Sequence, residues 1–80
     1  MINYQIGKLY KLSYGRAMYK QDLYKNYLGT INKGQIVFLL EQKKLLWCEW
    51  AFKVLTTNGM VGWVRIEATN NTPPLKEIKL

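Results

Sequence analysis

The chain of 80 residues contains no histidine, one cysteine, two prolines and five acidic residues. Each shortage excludes a class of chemistry. Without histidine there is no imidazole for general acid–base work or a Ser–His arrangement. A single cysteine, Cys48, forms no disulfide within the chain and supports no Cys/His zinc site; flanked by apolar residues, it reads as a small buried hydrophobe. The acids Asp22, Glu41, Glu49, Glu67 and Glu77 are scattered, with no pair spaced for two-carboxylate chemistry or a cation cage. No apolar run approaches the ~20 residues of a membrane span, and the opening MINYQIGK has no signal-peptide core. The resulting expectation is a soluble cytoplasmic protein, not an enzyme, with no metal or cofactor and no membrane partner.

What is present points to a small folded module. Apolar residues make up 49% of the chain and aromatics 14%, which is material for a core and unlike a disordered basic tail. Large aromatics suit a domain of this size, since each buries about 150–250 Å². Ten Lys and two Arg leave a net charge of +7. Lys, Asn, Ile, Tyr and Phe supply 30 of the 80 residues, the bias of an AT-rich coding sequence, so part of the charge is compositional. Such a composition suits a small accessory or structural protein of viral or AT-rich microbial origin. The charge is uneven: residues 1–35 carry +5 and residues 36–80 only +2, so an electropositive surface is built mainly from the first half.

Period-two patterning dominates the second half. Ile36 to Leu40 is apolar at every position, as in a strand covered on both faces or in a barrel wall. Leu46, Cys48, Trp50, Phe52 and Val54 alternate with Trp47, Glu49, Ala51 and Lys53, predicting a long half-buried strand with Trp50 on the core face and Trp47 on the mixed one. Asn58-Gly59 is a hairpin signal. A two-residue loop there pairs Val54 with Trp63 and sets Val64 beside Lys53, a conflict that only a bulge or cover on both faces relieves, so the register stays open. Earlier, Ile6 to Leu12 and Tyr27 to Thr30 read as strands, and Ser13 to Asn26 between them as a long ordered loop. Asn32-Lys33-Gly34 turns the chain into the central strand. Pro73-Pro74 ends the globule. The prediction is an all-β, five-stranded small barrel over residues 1–69, with a mobile Pro-containing tail over 70–80.

The order of these signals resembles a known family. GTINKGQIVFLLE (29–41), WAFKVLTTNG (50–59) and MVGWV (60–64) follow the pattern of the bacterial SH3-like domain: Gly-Thr, a Lys-Gly turn into a strand ending near Leu-Glu, a Trp-x-Lys-Val strand, an Asn-Gly hairpin and a closing Gly-Trp-Val. A strand and a long loop precede the Gly-Thr position in the family, and Gly7 to Leu28 correspond to them. The family's Asn-Val-Arg-x-Gly-Pro segment is replaced here by YGRAMYKQDLYKNY (14–27), and one extra residue separates Trp50 from Val54. The resemblance implies an SH3-like barrel. It also implies cell-wall or peptide binding where such domains are fused to hydrolases; with no export signal, the partner expected here is another protein or a polymer. The long loop carries only Asp22, which argues against a standard Pro-rich peptide ligand, whose basic residues need acidic loops.

The candidate partner-binding residues are Tyr10, Tyr14, Arg16, Tyr19, Lys20, Trp47 and Trp63. Tyrosines interleaved with cations over residues 10–27 suit an interaction surface, though the same rings would also order a long loop. Trp47 reads as exposed, and Trp63 either lines a groove beside the loop or closes a barrel seam. A non-enzymatic interaction module is the leading reading. The alternative is a nucleic-acid-binding barrel that stacks bases on these rings and contacts phosphates with the basic first half. Self-association through the edge at residues 45–48 is a third reading.

Overall fold

The computed structural model describes residues 4–21, 25–45, 49–67 and 75–78. These residues form strands β1 (Leu9–Leu12), β2 (Arg16–Gln21), β3 (Lys25–Ile31), β4 (Ile36–Lys44), β5 (Glu49–Thr56), β6 (Val61–Glu67) and β7 (Leu75–Glu77). All pair antiparallel in one sheet of order β3-β2-β6-β5-β4-β1-β7, which does not close into a barrel. Among the described residues no helix is long and apolar enough to cross a membrane. The all-β class is as the sequence predicts, but seven strands form where five are signalled.

Every strand sends a side chain into one core. Tyr10 and Leu12 come from β1, Met18 from β2, Ile31 from β3, Val37 and Leu39 from β4, Phe52 and Val54 from β5, Val64 from β6 and Leu75 from β7. Full burial of a Leu, Val or Phe stabilises by roughly 1.5–3 kcal/mol, so these few residues decide whether the sheet holds together. In β4 the inner residues Val37 and Leu39 are buried, and Ile36, Phe38 and Leu40 are half covered on the outer side, which explains an unbroken apolar run. The register slips at Leu40, because Leu39 pairs with Val54 and Glu41 with Lys53. This bulge turns Glu41 outward and Gln42 inward, where its amide donates to the Tyr4 carbonyl at 3.1 Å.

The β5–β6 hairpin settles the register that the sequence leaves open. Its loop is three residues long, Thr57 to Gly59, closed by Thr56 N–H to the Met60 carbonyl at 2.8 Å and Gly59 N–H to the Thr56 carbonyl at 3.1 Å. Gly59 takes φ 87°, the left-handed residue of a type I turn followed by a bulge. The one-residue shift from a two-residue loop pairs Phe52 with Val64 and Lys53 with Trp63, so Val64 enters the core and Trp63 faces outward.

Two segments differ more deeply from expectation. Where one long ordered loop is expected over 13–26, Arg16–Gln21 and Lys25–Ile31 are strands: β2 and β3 pair antiparallel through Ala17–Thr30, Met18–Gly29 and Tyr19–Tyr27, with Leu28 as the extra residue. Among the described residues of this hairpin only Met18 and Ile31 reach the core, too few to mark it with an apolar alternation. The hairpin lies directly on β6 at Gly62, where an added Cβ would stand 2.9 Å from Leu28 Cδ1, Met18 Cγ and the Tyr19 carbonyl. The second difference concerns the tail expected to be mobile over 70–80, of which residues 75–78 are described. β7 pairs with β1, and Leu75 is 1% exposed in the core. Burial of one leucine, one hydrogen bond donated by the Tyr4 hydroxyl to the Leu75 carbonyl and one that it accepts from the Leu75 N–H hold a strand that follows two prolines.

Candidate interaction surface

Residues directly opposite on neighbouring strands share a face of the sheet. Tyr27 pairs with Tyr19, Tyr19 with Trp63, Trp63 with Lys53 and Lys53 with Glu41. Five adjacent strands therefore set one side chain each into a row on the outer face. The Tyr19 and Tyr27 rings meet edge to face, with centroids 5.9 Å apart at 66°, a preferred aromatic geometry. Tyr27 is 62% exposed, and its hydroxyl shares a 2.8 Å hydrogen bond with Thr30. Tyr19 and Trp63 are half-buried. Lys53 ends the aromatic part, 3.9 Å from the Glu41 carboxylate.

Of the candidates named from the sequence, Tyr19 and Trp63 are brought together here. Lys20 is exposed beside Tyr19 but points to the opposite side of β2. Tyr14 and Arg16 form a separate pair at the start of β2, the guanidinium lying 4.5 Å from the Tyr14 ring centroid. Arg16 pairs with Ile31, away from the outer row. Tyr10 is a correction: it is 4% exposed, packs edge-on against Tyr4 and accepts a 2.8 Å hydrogen bond from the Gln5 N–H. Its ring and hydroxyl are both used within the fold, because alternation through Leu12 turns it inward. Trp47 lies outside the described residues, as do Cys48 and Asp22. Trp50, on the core face as alternation predicts, stacks on Phe52 at 6.2 Å.

Sequence reasoning missed Lys53 and Tyr27 as members of the row. The hairpin signal contained Lys53 once a three-residue loop is chosen, whereas Tyr27 depends on the β2–β3 pairing.

Charge divides the surface. Lys8 pairs with Glu77 at 3.5 Å, Lys53 with Glu41, and Arg65 with Glu49. Lys11, Lys20 and Lys33 are exposed and have no carboxylate partner among the described residues. Lys44 and Lys76 are likewise exposed without a carboxylate partner among the described residues, so the uncompensated lysines are spread over both halves of the chain. Among the described residues no three His, Cys, Asp or Glu side chains gather as a metal site requires. No protein-family model, curated protein or solved structure matches the chain.

Proposed function

We propose that the protein is a non-enzymatic interaction module of the SH3-like type, which holds a protein or polymer partner against the row Tyr27, Tyr19, Trp63 and Lys53. The observation that carries this reading is the register of three aromatic residues on three adjacent strands, ending in a cation, on an outer face. Rigid aromatics lose little entropy on binding and dominate interface energetics. Support for the SH3-like assignment comes from element order: β1, a long excursion, Gly29-Thr30, a turn at Lys33-Gly34, β4, β5, the Asn58-Gly59 loop and β6.

Tyr19→Ala and Tyr27→Ala test the reading. Each is expected to leave the melting temperature within a few degrees of wild type, and the pair together to weaken capture of the partner by more than tenfold, about 1.4 kcal/mol. Unchanged capture removes the row from the binding site. Cooperative loss of structure in both variants makes the row a structural device instead.

Nucleic acid is the second reading. Exposed Lys11, Lys20 and Lys33 without carboxylate partners, together with stackable rings, favour single strands.

A further inference from the structure

The loop that joins β5 to β6 carries a chemistry that neither partner binding nor nucleic-acid contact uses. Asn58 is the one asparagine of the chain followed by glycine. Such a pair is prone to lose its side-chain amide: the Gly59 nitrogen, having given up its proton, attacks Cγ of Asn58, and ammonia leaves. A cyclic imide is formed. Water then opens the ring at either carbonyl and leaves aspartate or isoaspartate at position 58, so the net change is amide plus water to carboxylate plus ammonium. Glycine speeds the closure because it has no Cβ to hinder the approach of its nitrogen. Asn58 and Gly59 are both exposed, so water reaches them.

The folded hairpin holds both reacting groups off this course. The Gly59 N–H donates to the Thr56 carbonyl at 3.1 Å, which keeps the proton on the nitrogen that would have to attack. The Asn58 side-chain oxygen accepts a hydrogen bond from the Thr56 hydroxyl. That hydroxyl is itself fixed, because Thr56 is 4% exposed and its oxygen accepts from the Met60 N–H at 3.0 Å. Its proton goes to Asn58, the nearer of two acceptors, the Met60 carbonyl standing at 3.3 Å. Thr56 thus engages the nucleophile through its backbone and the electrophile through its side chain. Attack requires those two atoms to meet at about 3–3.5 Å in the right orientation, so the bonds that hold them elsewhere must break first.

We propose that Asn58 is a site of spontaneous deamidation that Thr56 keeps closed in the folded protein, modified when the end of the β5–β6 hairpin opens. Loop ends open locally at less cost than the whole molecule unfolds. The product bears on the outer face. Isoaspartate routes the main chain through the former side chain and adds one carbon to a three-residue loop whose length sets Lys53 opposite Trp63 and Val64 opposite Phe52. Either product also brings a carboxylate to the loop and lowers the net charge of +7 by one.

Incubation of the full chain at neutral pH, folded in buffer or unfolded in guanidinium chloride, tests this. The tryptic peptide Val54–Arg65 contains the site, and mass spectrometry with chromatography separates its asparagine, aspartate and isoaspartate forms. In the unfolded chain Asn58 is expected to be modified before any other asparagine. In the folded protein its rate should fall by about tenfold or more, as a reaction gated by local opening requires. Thr56→Val keeps the shape of the side chain and removes the hydroxyl; with circular dichroism and melting showing it folded, it should react several-fold faster than folded wild type. Thr56→Ser keeps the hydroxyl and should react like wild type. Equal rates in folded and unfolded wild type overturn the proposal, as does a folded Thr56→Val that reacts no faster than wild type or an unfolded chain that is modified first elsewhere. Should Thr56→Val fail to fold, the folded and unfolded rates of wild type decide alone.

Discussion

Tyr4 ties the two ends of the chain together. Its hydroxyl donates to the Leu75 carbonyl and accepts from the Leu75 N–H, both at 3.0 Å, while its ring meets Tyr10 at 5.1 Å and Phe52 at 5.4 Å. Burial raises its pKa above the ordinary phenol value of 10.0, against the lowering effect of the Leu75 N–H. The folded protein thus holds the neutral phenol more firmly than the unfolded chain does. Its contribution to stability is complete below the unfolded value of 10.0 and is lost as pH rises through the folded one. Tyr4→Phe keeps the ring contacts and removes both hydrogen bonds, so it should cost about 1–3 kcal/mol in urea unfolding near pH 8. The alkaline loss should be smaller in the variant than in wild type. Nothing in the N-terminal sequence distinguishes Tyr4 from its neighbours, because its partner is 71 residues away. The burial of Tyr10 is written in the local pattern: it stands two positions from Leu12, and period two turns both to one side.

At the scale of elements, legibility follows the amount of core each strand supplies. β5 buries Ala51, Phe52, Val54 and Thr56, and β4 buries Val37 and Leu39 with Ile36, Phe38 and Leu40 half covered, and these dense apolar patterns announce both strands. The β2–β3 hairpin buries few, and its strands are recognisable only from their pairing. β7 is three residues long and rests on one buried leucine. Leu75→Ala should therefore lower stability by about 2–4 kcal/mol through the lost contacts and the cavity left behind. Lys76→Ala, exposed on the same strand, should fall within about 0.5 kcal/mol of wild type, as surface changes do. Chemical denaturation of the two variants separates a docked strand from a loose tail. The Asn58-Gly59 signal announced a hairpin, but loop length was decided by packing. A three-residue loop seats Val64 against Phe52, whereas a two-residue loop would bury Trp63 and leave Val64 outside.

For the whole molecule, charge is the property that tests the second functional reading. Titration with single- and double-stranded oligonucleotides at two salt concentrations should, on that reading, show single-strand binding that weakens steeply with salt as counterions are released. No binding at low salt removes it and leaves the aromatic row to a protein or polymer partner. By itself the sequence determined the all-β class, the central strands, the hairpin and turn positions, the absence of histidine chemistry and the basic bias of the first half. These follow from local periodicity, turn residues and composition, which need no knowledge of what each strand meets. Tertiary structure alone decided that Tyr27, Tyr19, Trp63 and Lys53 stand in one row, that Leu9, Phe38, Leu55 and Val61 stand in another, and that Leu75 is core. Those outcomes depend on register between strands distant in the chain, and a shift of one residue exchanges the two faces of a strand.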